Sequence, residues 1–175
     1  MIKQKSDIRT TLVKVCLLIM LFTGLTSETY GQDHGIYQVK FDFYHSLRIP
    51  NHHVSVEFQR YGDSIAVHVK SEPMKDQESK WDNTKVDTTF KLTKSDFDKL
   101  VAAVAKINCS DIVSGLDFTG LDGTTCEITY GSYSAGISYK VWSPNYDTKK
   151  RNLEEYLEAC KLILVTANLD PKEIL

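Results

Sequence analysis

Alternating apolar and polar residues dominate the first half of this chain after its opening segment. Over 36–47, Val39, Phe41 and Phe43 alternate with Lys40, Asp42 and Tyr44, a period of two that predicts a half-buried strand ended by Pro50. Val54, Val56 and Phe58 alternate with Ser55, Glu57 and Gln59, and after Tyr61-Gly62-Asp63-Ser64 the pattern resumes with Ile65, Val67 and Val69. Two such runs joined by Gly-Asp predict a hairpin, with the glycine supplying positive φ at the first central turn position. Residues 73–85 are almost wholly polar and have no period, which predicts a long irregular loop. A short strand is expected over 86–92.

Helical spacing follows. Thr93 with Asp96 three residues on marks a cap, and Phe97, Leu100, Val101 and Val104 recur on one face to about Ile107. Gly115, Gly120 and the Asp122-Gly123 pair make 110–123 turn-rich. Cys126, Ile128 and Tyr130 then alternate with Glu127 and Thr129. The return strand places Ile137, Tyr139 and Val141 on one face and Ser138, Lys140 and Trp142 on the other, until Ser143-Pro144. Asn152, with Glu155 at the third helical position, predicts a cap for a second helix carrying Leu153, Tyr156, Leu157, Cys160, Leu164 and Ala167 and ending near Asn168, before Pro171. The predicted fold is α+β: an antiparallel sheet of five to six strands built from two hairpins plus flanking strands, with two helices packed on one face. A short echo between the two hairpins, each followed by a helix, raises a duplicated unit related by a pseudo-twofold.

The opening segment has a different character. Lys3, Lys5, Arg9 and Lys14 precede an apolar run of eleven residues over 15–25, and Thr29 and Gly31 supply small residues at alternate positions. This is the layout of a secretory signal peptide over 1–31, cut after Gly31; a cut after Ser27 is the weaker alternative, because it places Leu25 where a small side chain is preferred. A spanning helix needs about 20 apolar residues, so no permanent membrane anchor is expected. Cys16 lies near the start of the run, the wrong place for lipid attachment. Residues 32–175 are then a single exported domain, periplasmic or extracellular.

Removing 31 of 175 residues leaves 144, enough for one domain without staples. Four basic and two acidic residues leave with the leader, so 17 basic and 21 acidic groups remain and the net charge moves from −2 to near −4. That balance argues against a nucleic-acid partner. The one basic cluster, Lys149-Lys150-Arg151, reads as a solvated approach to the last helix. Of the remaining cysteines, two of Cys109, Cys126 and Cys160 are candidates for a disulfide in an oxidising compartment, with three pairings open. Asn108-Cys109-Ser110 also matches a glycosylation acceptor.

Candidate chemistry is sparse. Pairing the first hairpin through its turn sets Glu57 opposite His68 on the outward face, half of a general-base arrangement that still needs a nucleophile. The bland alternative is a solvent-facing cross-strand pair. Adjacent His52 and His53 on a strand point to opposite faces and cannot both grip one ion. The 117–123 run lacks the alternating acids of a calcium loop. No phosphate cradle, nucleophile elbow or zinc spacing occurs, so neither metal nor cofactor is expected. Aromatic residues are the remaining lead: Trp81 in the polar loop, Trp142 on the outward strand phase and Tyr146 just beyond it are candidates for partner binding.

These features predict a small exported, non-catalytic binding or interaction module at the cell envelope or outside the cell, using the 73–85 loop and the 142–146 segment to hold another protein or a carbohydrate. The alternatives are a hydrolase working through His68 and Glu57, or an inhibitor or protective partner of another exported protein. Oligomeric state is left open by the sequence.

Overall fold

The computed structural model describes residues 35–46, 51–74, 85–114 and 122–175. The predicted leader, Trp81 and nearly all of the polar loop lie outside the described residues. Six strands form one antiparallel sheet: β1 (Gln38–His45), β2 (His53–Tyr61), β3 (Ser64–Glu72), β4 (Val86–Leu92), β5 (Thr124–Gly131) and β6 (Gly136–Trp142), in the order β4-β3-β2-β1-β5-β6. Four helices accompany them: α1 (Lys94–Val104), α2 (Cys109–Ser114), α3 (Glu154–Thr166) and α4 (Pro171–Ile174). The α+β class and the antiparallel sheet follow the alternation in the sequence.

Each strand turns its apolar phase to the same side. Val39, Phe41 and Phe43 of β1 stand in register with Phe58, Val56 and Val54 of β2 and with Tyr130, Ile128 and Cys126 of β5. All are buried, and each fully buried phenylalanine contributes roughly 2–3 kcal/mol. Over this face α1 lays Phe97, Leu100, Val101 and Val104, and α3 lays Tyr156, Ala159, Cys160, Ile163 and Leu164. The Tyr156 hydroxyl donates to the Cys126 carbonyl at 2.7 Å, fastening α3 to β5. Among the described residues no helix is long and apolar enough to cross a membrane.

Local signals act where expected, with exceptions that have physical causes. Gly62 takes φ +61° at the β2–β3 turn, and Thr93 caps α1 by accepting from the Asp96 amide at 3.1 Å. Asn152 does not cap α3: it takes φ +52° in the turn before it, and Leu153 is pulled into the core with no side-chain cap behind it. At the start of the stretch expected to be turn-rich, Asn108 accepts from the Ser110 amide at 3.0 Å and starts α2, whose Ile112 is buried. Pro171 opens α4, where its missing amide proton removes no bond and Asp170 caps the Lys172 amide at 2.9 Å. The two hairpins do not obey a twofold. Both β2 and β5 are antiparallel to β1, so they run the same way, and both hairpins present their apolar phase to the same side.

Candidate functional site

The polar phase of the strands forms a broad outer sheet face, and its central rows are internally paired. Lys40 Nζ meets Asp42 Oδ2 at 2.9 Å, Gln38 Nε2 donates to Glu57 Oε1 at 2.7 Å, and Ser138 donates to Glu127 at 2.7 Å. The hydrogen bond with Asp42 raises the Lys40 pKa above its usual value despite partial burial. Such pairs contribute little each, but they leave few charged groups in these rows open to a ligand.

Glu57 and His68 stand opposite one another in register, yet each bonds elsewhere. His68 Nε2 donates to Asp87 Oδ1 on β4 at 2.8 Å, which lowers the Asp87 pKa, while Glu57 accepts from Gln38. The residue in register beyond His68 is Thr89, on the exposed edge strand. Neither of the two clefts described here is lined by Glu57 or His68.

One end of this face is different. Register runs from Trp142 through Thr125, Tyr44 and His53 to Glu72, a single row across five strands on the outer side. Trp142 and Glu72 are therefore at the same end of the sheet, four strand spacings or roughly 19 Å apart. Trp142 and Tyr146 meet edge to face with centroids 6.3 Å apart, and Tyr146 is 54% exposed. Trp81, the third aromatic candidate, lies outside the described residues.

The segment bearing Trp142 and Tyr146 is held from behind by Arg151. Lys149 and Lys150 are exposed, but Arg151 is only 2% exposed and is no solvated member of a basic cluster. Its guanidinium donates to the carbonyls of Trp142 at 2.8 Å, Ser143 at 2.8 Å and Tyr146 at 3.1 Å. Burial lowers the Arg151 pKa from its usual value, with Asp147 acting against the shift. Gly123 completes the seat: at φ +152°, a Cβ there would stand 2.5 Å from Ser143 Oγ and 2.7 Å from Trp142 Nε1. The Trp142 ring thus rests against bare backbone.

At the opposite end of the row is a cleft of about 460 Å³ lined by Tyr44, Ser46, His52, His53 and Glu72, with Pro73 and Met74 as an apolar wall. His52 and His53 both line it, contrary to the alternation argument, because β2 begins at His53 and His52 lies outside the pleat. The Tyr44 and His52 rings meet edge to face at 4.6 Å, and His53 Nε2 is 3.7 Å from Asp42 Oδ1. Among the described residues, the buried Ser46 Oγ and His52 Nδ1 have no hydrogen-bond partner; Thr124 Oγ1, at the same end but outside the cleft, is a third such atom. Also among the described residues, no group of three or more His, Cys, Asp or Glu is placed to hold a metal ion.

The three cysteines among the described residues are free thiols. Cys109 is exposed, whereas Cys126 and Cys160 are buried and touch across the α3–β5 contact; burial and this contact push the Cys160 thiol well above its usual pKa.

By its architecture the chain is an α+β protein with a six-stranded antiparallel sheet covered on one side. No protein-family model matches it, and no curated protein matches its sequence. Sequence reasoning had missed Arg151, hidden in a basic triplet, and the cleft, whose residues come from the ends of three strands. The one visible trace of the cleft was the histidine pair next to a turn.

Proposed function

We propose that this is a small exported, non-catalytic binding module that holds another exported protein or a carbohydrate at the cell envelope or outside the cell, through the Trp142-to-Glu72 end of its outer sheet face. The observation that carries this reading is the contrast along that face: charged groups in the central rows are bonded to one another, while Tyr44 and Tyr146 stand 48% and 54% exposed at one end. Rigid aromatic rings on a fixed backbone offer contact area with little ordering entropy to lose. The bonds from Arg151 supply that fixed backbone at Trp142 and Tyr146.

The double variant Tyr44→Ala with Tyr146→Ala tests the surface. Capture of a partner from an envelope extract should fall steeply while Tm stays within a few degrees; unchanged capture refutes the surface. Trp142→Ala is a poorer probe, since that ring also seats against Gly123.

Of the three disulfide pairings we propose Cys126 with Cys160, which are neighbouring free thiols in the core, with Cys109 left as the odd thiol. Closing it passes two electrons and two protons to an external disulfide. Mass analysis of the protein, digested without reduction, checks the pairing: any linked peptide containing Cys109 contradicts it.

A further inference from the structure

β4 is one margin of the sheet: among the described residues it pairs with β3 on one side, and no strand stands on the other. An edge strand carries a row of backbone N–H and C=O groups aimed away from its neighbour, a template for one more strand, which proteins commonly blunt with proline, charge or a covering element. Val86–Leu92 contains no proline, and all seven residues are at least partly exposed. Asp87, Thr89 and Lys91 are on the outer side, while Val86, Phe90 and Leu92 are on the helix side and pack against the core. Thr88 is exposed on that side although Val69, in register beside it, is buried. The helix layer therefore stops short of this margin and leaves room for a strand.

The strand is complementary to its own reverse. Set antiparallel to a second copy about Thr89, it pairs Asp87 of one copy with Lys91 of the other and Val86 with Leu92, each twice by symmetry, and every residue keeps its side of the sheet. Moving the centre by one residue sets Asp87 or Lys91 against Thr89 and shortens the pairing. Lys91 has no ion-pair partner among the described residues. The Asp87 side chain is 63% exposed; Oδ1 holds His68 at 2.8 Å, and Oδ2 is 3.9 Å from Lys70, which leaves it open to a second cation. The other margin lacks this match: about Tyr139, Lys140 of β6 would meet Ser138, and α2 packs against that strand.

We propose that β4 is the interface of a homodimer in which two copies join edge to edge about a twofold axis at Thr89, making one continuous antiparallel sheet. Such a twofold contact uses the same patch on both copies and closes on itself, so growth stops at two. The inference goes beyond the binding-module reading and does not depend on it; both outer faces look the same way in the dimer. A seven-residue strand is a small interface, so the dissociation constant should be roughly micromolar to tens of micromolar.

Sedimentation equilibrium of the full exported chain, from submicromolar to near-millimolar concentration, should show monomer and dimer and nothing larger. Asp87→Lys and Lys91→Asp each turn two attractive crossings per dimer into repulsive ones and should each weaken self-association about ten- to thirtyfold. Mixed in equal amounts, these two variants should associate with each other as tightly as the original chain does with itself, because every 87–91 crossing again sets an ammonium against a carboxylate. Lys161→Glu, an equal change of charge on α3, should leave the equilibrium unchanged. Asp87→Lys also removes the bond to His68, so Tm is measured for each variant; Lys91→Asp breaks no ion pair among the described residues and decides the question alone if Asp87→Lys does not fold. A monomer at every concentration, a dimer indifferent to Lys91→Asp or weakened equally by Lys161→Glu, or a mixture of folded variants no tighter than either alone overturns the proposal.

Discussion

Two clefts of nearly equal size, about 460 and 430 Å³, stand at opposite ends of the sheet and are built from different materials. The first is lined by imidazoles, a hydroxyl and a carboxylate. The second, on the helix side, is lined mostly by apolar side chains and glycine backbone, with Tyr130 and Ser132 as its hydroxyl-bearing residues. Aromatic residues flank both ends, but at the second they are bound to one another. Tyr37 stacks on Tyr133 at 5.5 Å, Arg60 lies 5.8 Å over the Tyr37 ring, and the Tyr133 hydroxyl donates to the Arg60 carbonyl. At the first end, Tyr44 and Tyr146 make edge contacts and keep about half their surface in solvent. Exposure does not separate the ends, since Tyr61 and Tyr133 at the second are 57% and 62% exposed; what differs is that Tyr37 and Tyr133 are tied by a stack and a hydroxyl bond, a closed arrangement, whereas Tyr44 and Tyr146 each make an edge contact, an open one.

The strongest way to break this comparison is to remove what holds the open end. Arg151→Ala strips the donors from the carbonyls of Trp142, Ser143 and Tyr146, two of which sit within a largely buried turn. A carbonyl left unsatisfied in a buried site costs about 1–3 kcal/mol, so the variant should lose about 3–5 kcal/mol by denaturant unfolding. Its tryptophan fluorescence should shift as Trp142 leaves its seat. A loss below about 1 kcal/mol would mean that water replaces the guanidinium and that the segment is not rigidly held.

Gly123→Ala acts on the same seat by crowding. The new methyl would meet Ser143 Oγ at 2.5 Å and the Trp142 ring at 2.7–2.9 Å, on a backbone whose φ of +152° disfavours a side chain. Strain and overpacking together should cost roughly 2–4 kcal/mol. Partner capture should fall with it, because Trp142 must move.

What the sequence revealed about these two ends follows from how each signal is encoded. All six strands were legible because one buried face imposes a two-residue period, and Gly62-Asp63 pinned the register that sets Glu57 opposite His68. Thr93 announced α1 because its cap partner lies three residues away. Two helices of 6 and 4 residues were not legible, being too short to show a period. The site was harder still. Tyr44, His53 and Glu72 are neighbours only through strand pairing, and Arg151 differs from Lys150 solely in being buried beneath a turn that the sequence does not describe. Trp142 and Tyr146 could be singled out because exposed aromatics near a turn invite attention, but their support could not.

A matched pair of variants sharpens the contrast at smaller cost. Tyr133→Phe removes one hydroxyl bond at the closed end and should cost about 1 kcal/mol without changing partner capture. Tyr146→Ala, at the open end, should reduce capture with a stability change within about 0.5 kcal/mol. Reversal of these two results, measured by unfolding and pull-down on the same preparations, would erase the distinction between the ends.

The gentlest probe is pH. Burial, helped by a hydrogen bond with Tyr139, pushes the Tyr130 hydroxyl from 10.0 up to about 12, and burial raises Tyr156 well above its usual value. In the unfolded chain these phenols lose their protons first, so the native state holds more protons above pH 10 and stability must fall from there through about 12. On the acid side the sign is opposite. Asp87 and Asp96 are lowered from 3.8 by hydrogen bonds from His68 and Lys99, so their contribution is present above that value and is lost as pH falls through the folded values. Both carboxylates lie at the surface, and solvent screening keeps their part small. Unfolding midpoints should therefore decline more steeply in base than in acid. Tyr130→Phe, in the wall of the apolar cleft, should change stability little at neutral pH yet flatten the alkaline decline; an unchanged alkaline slope would show that Tyr130 is not held neutral by that end of the fold.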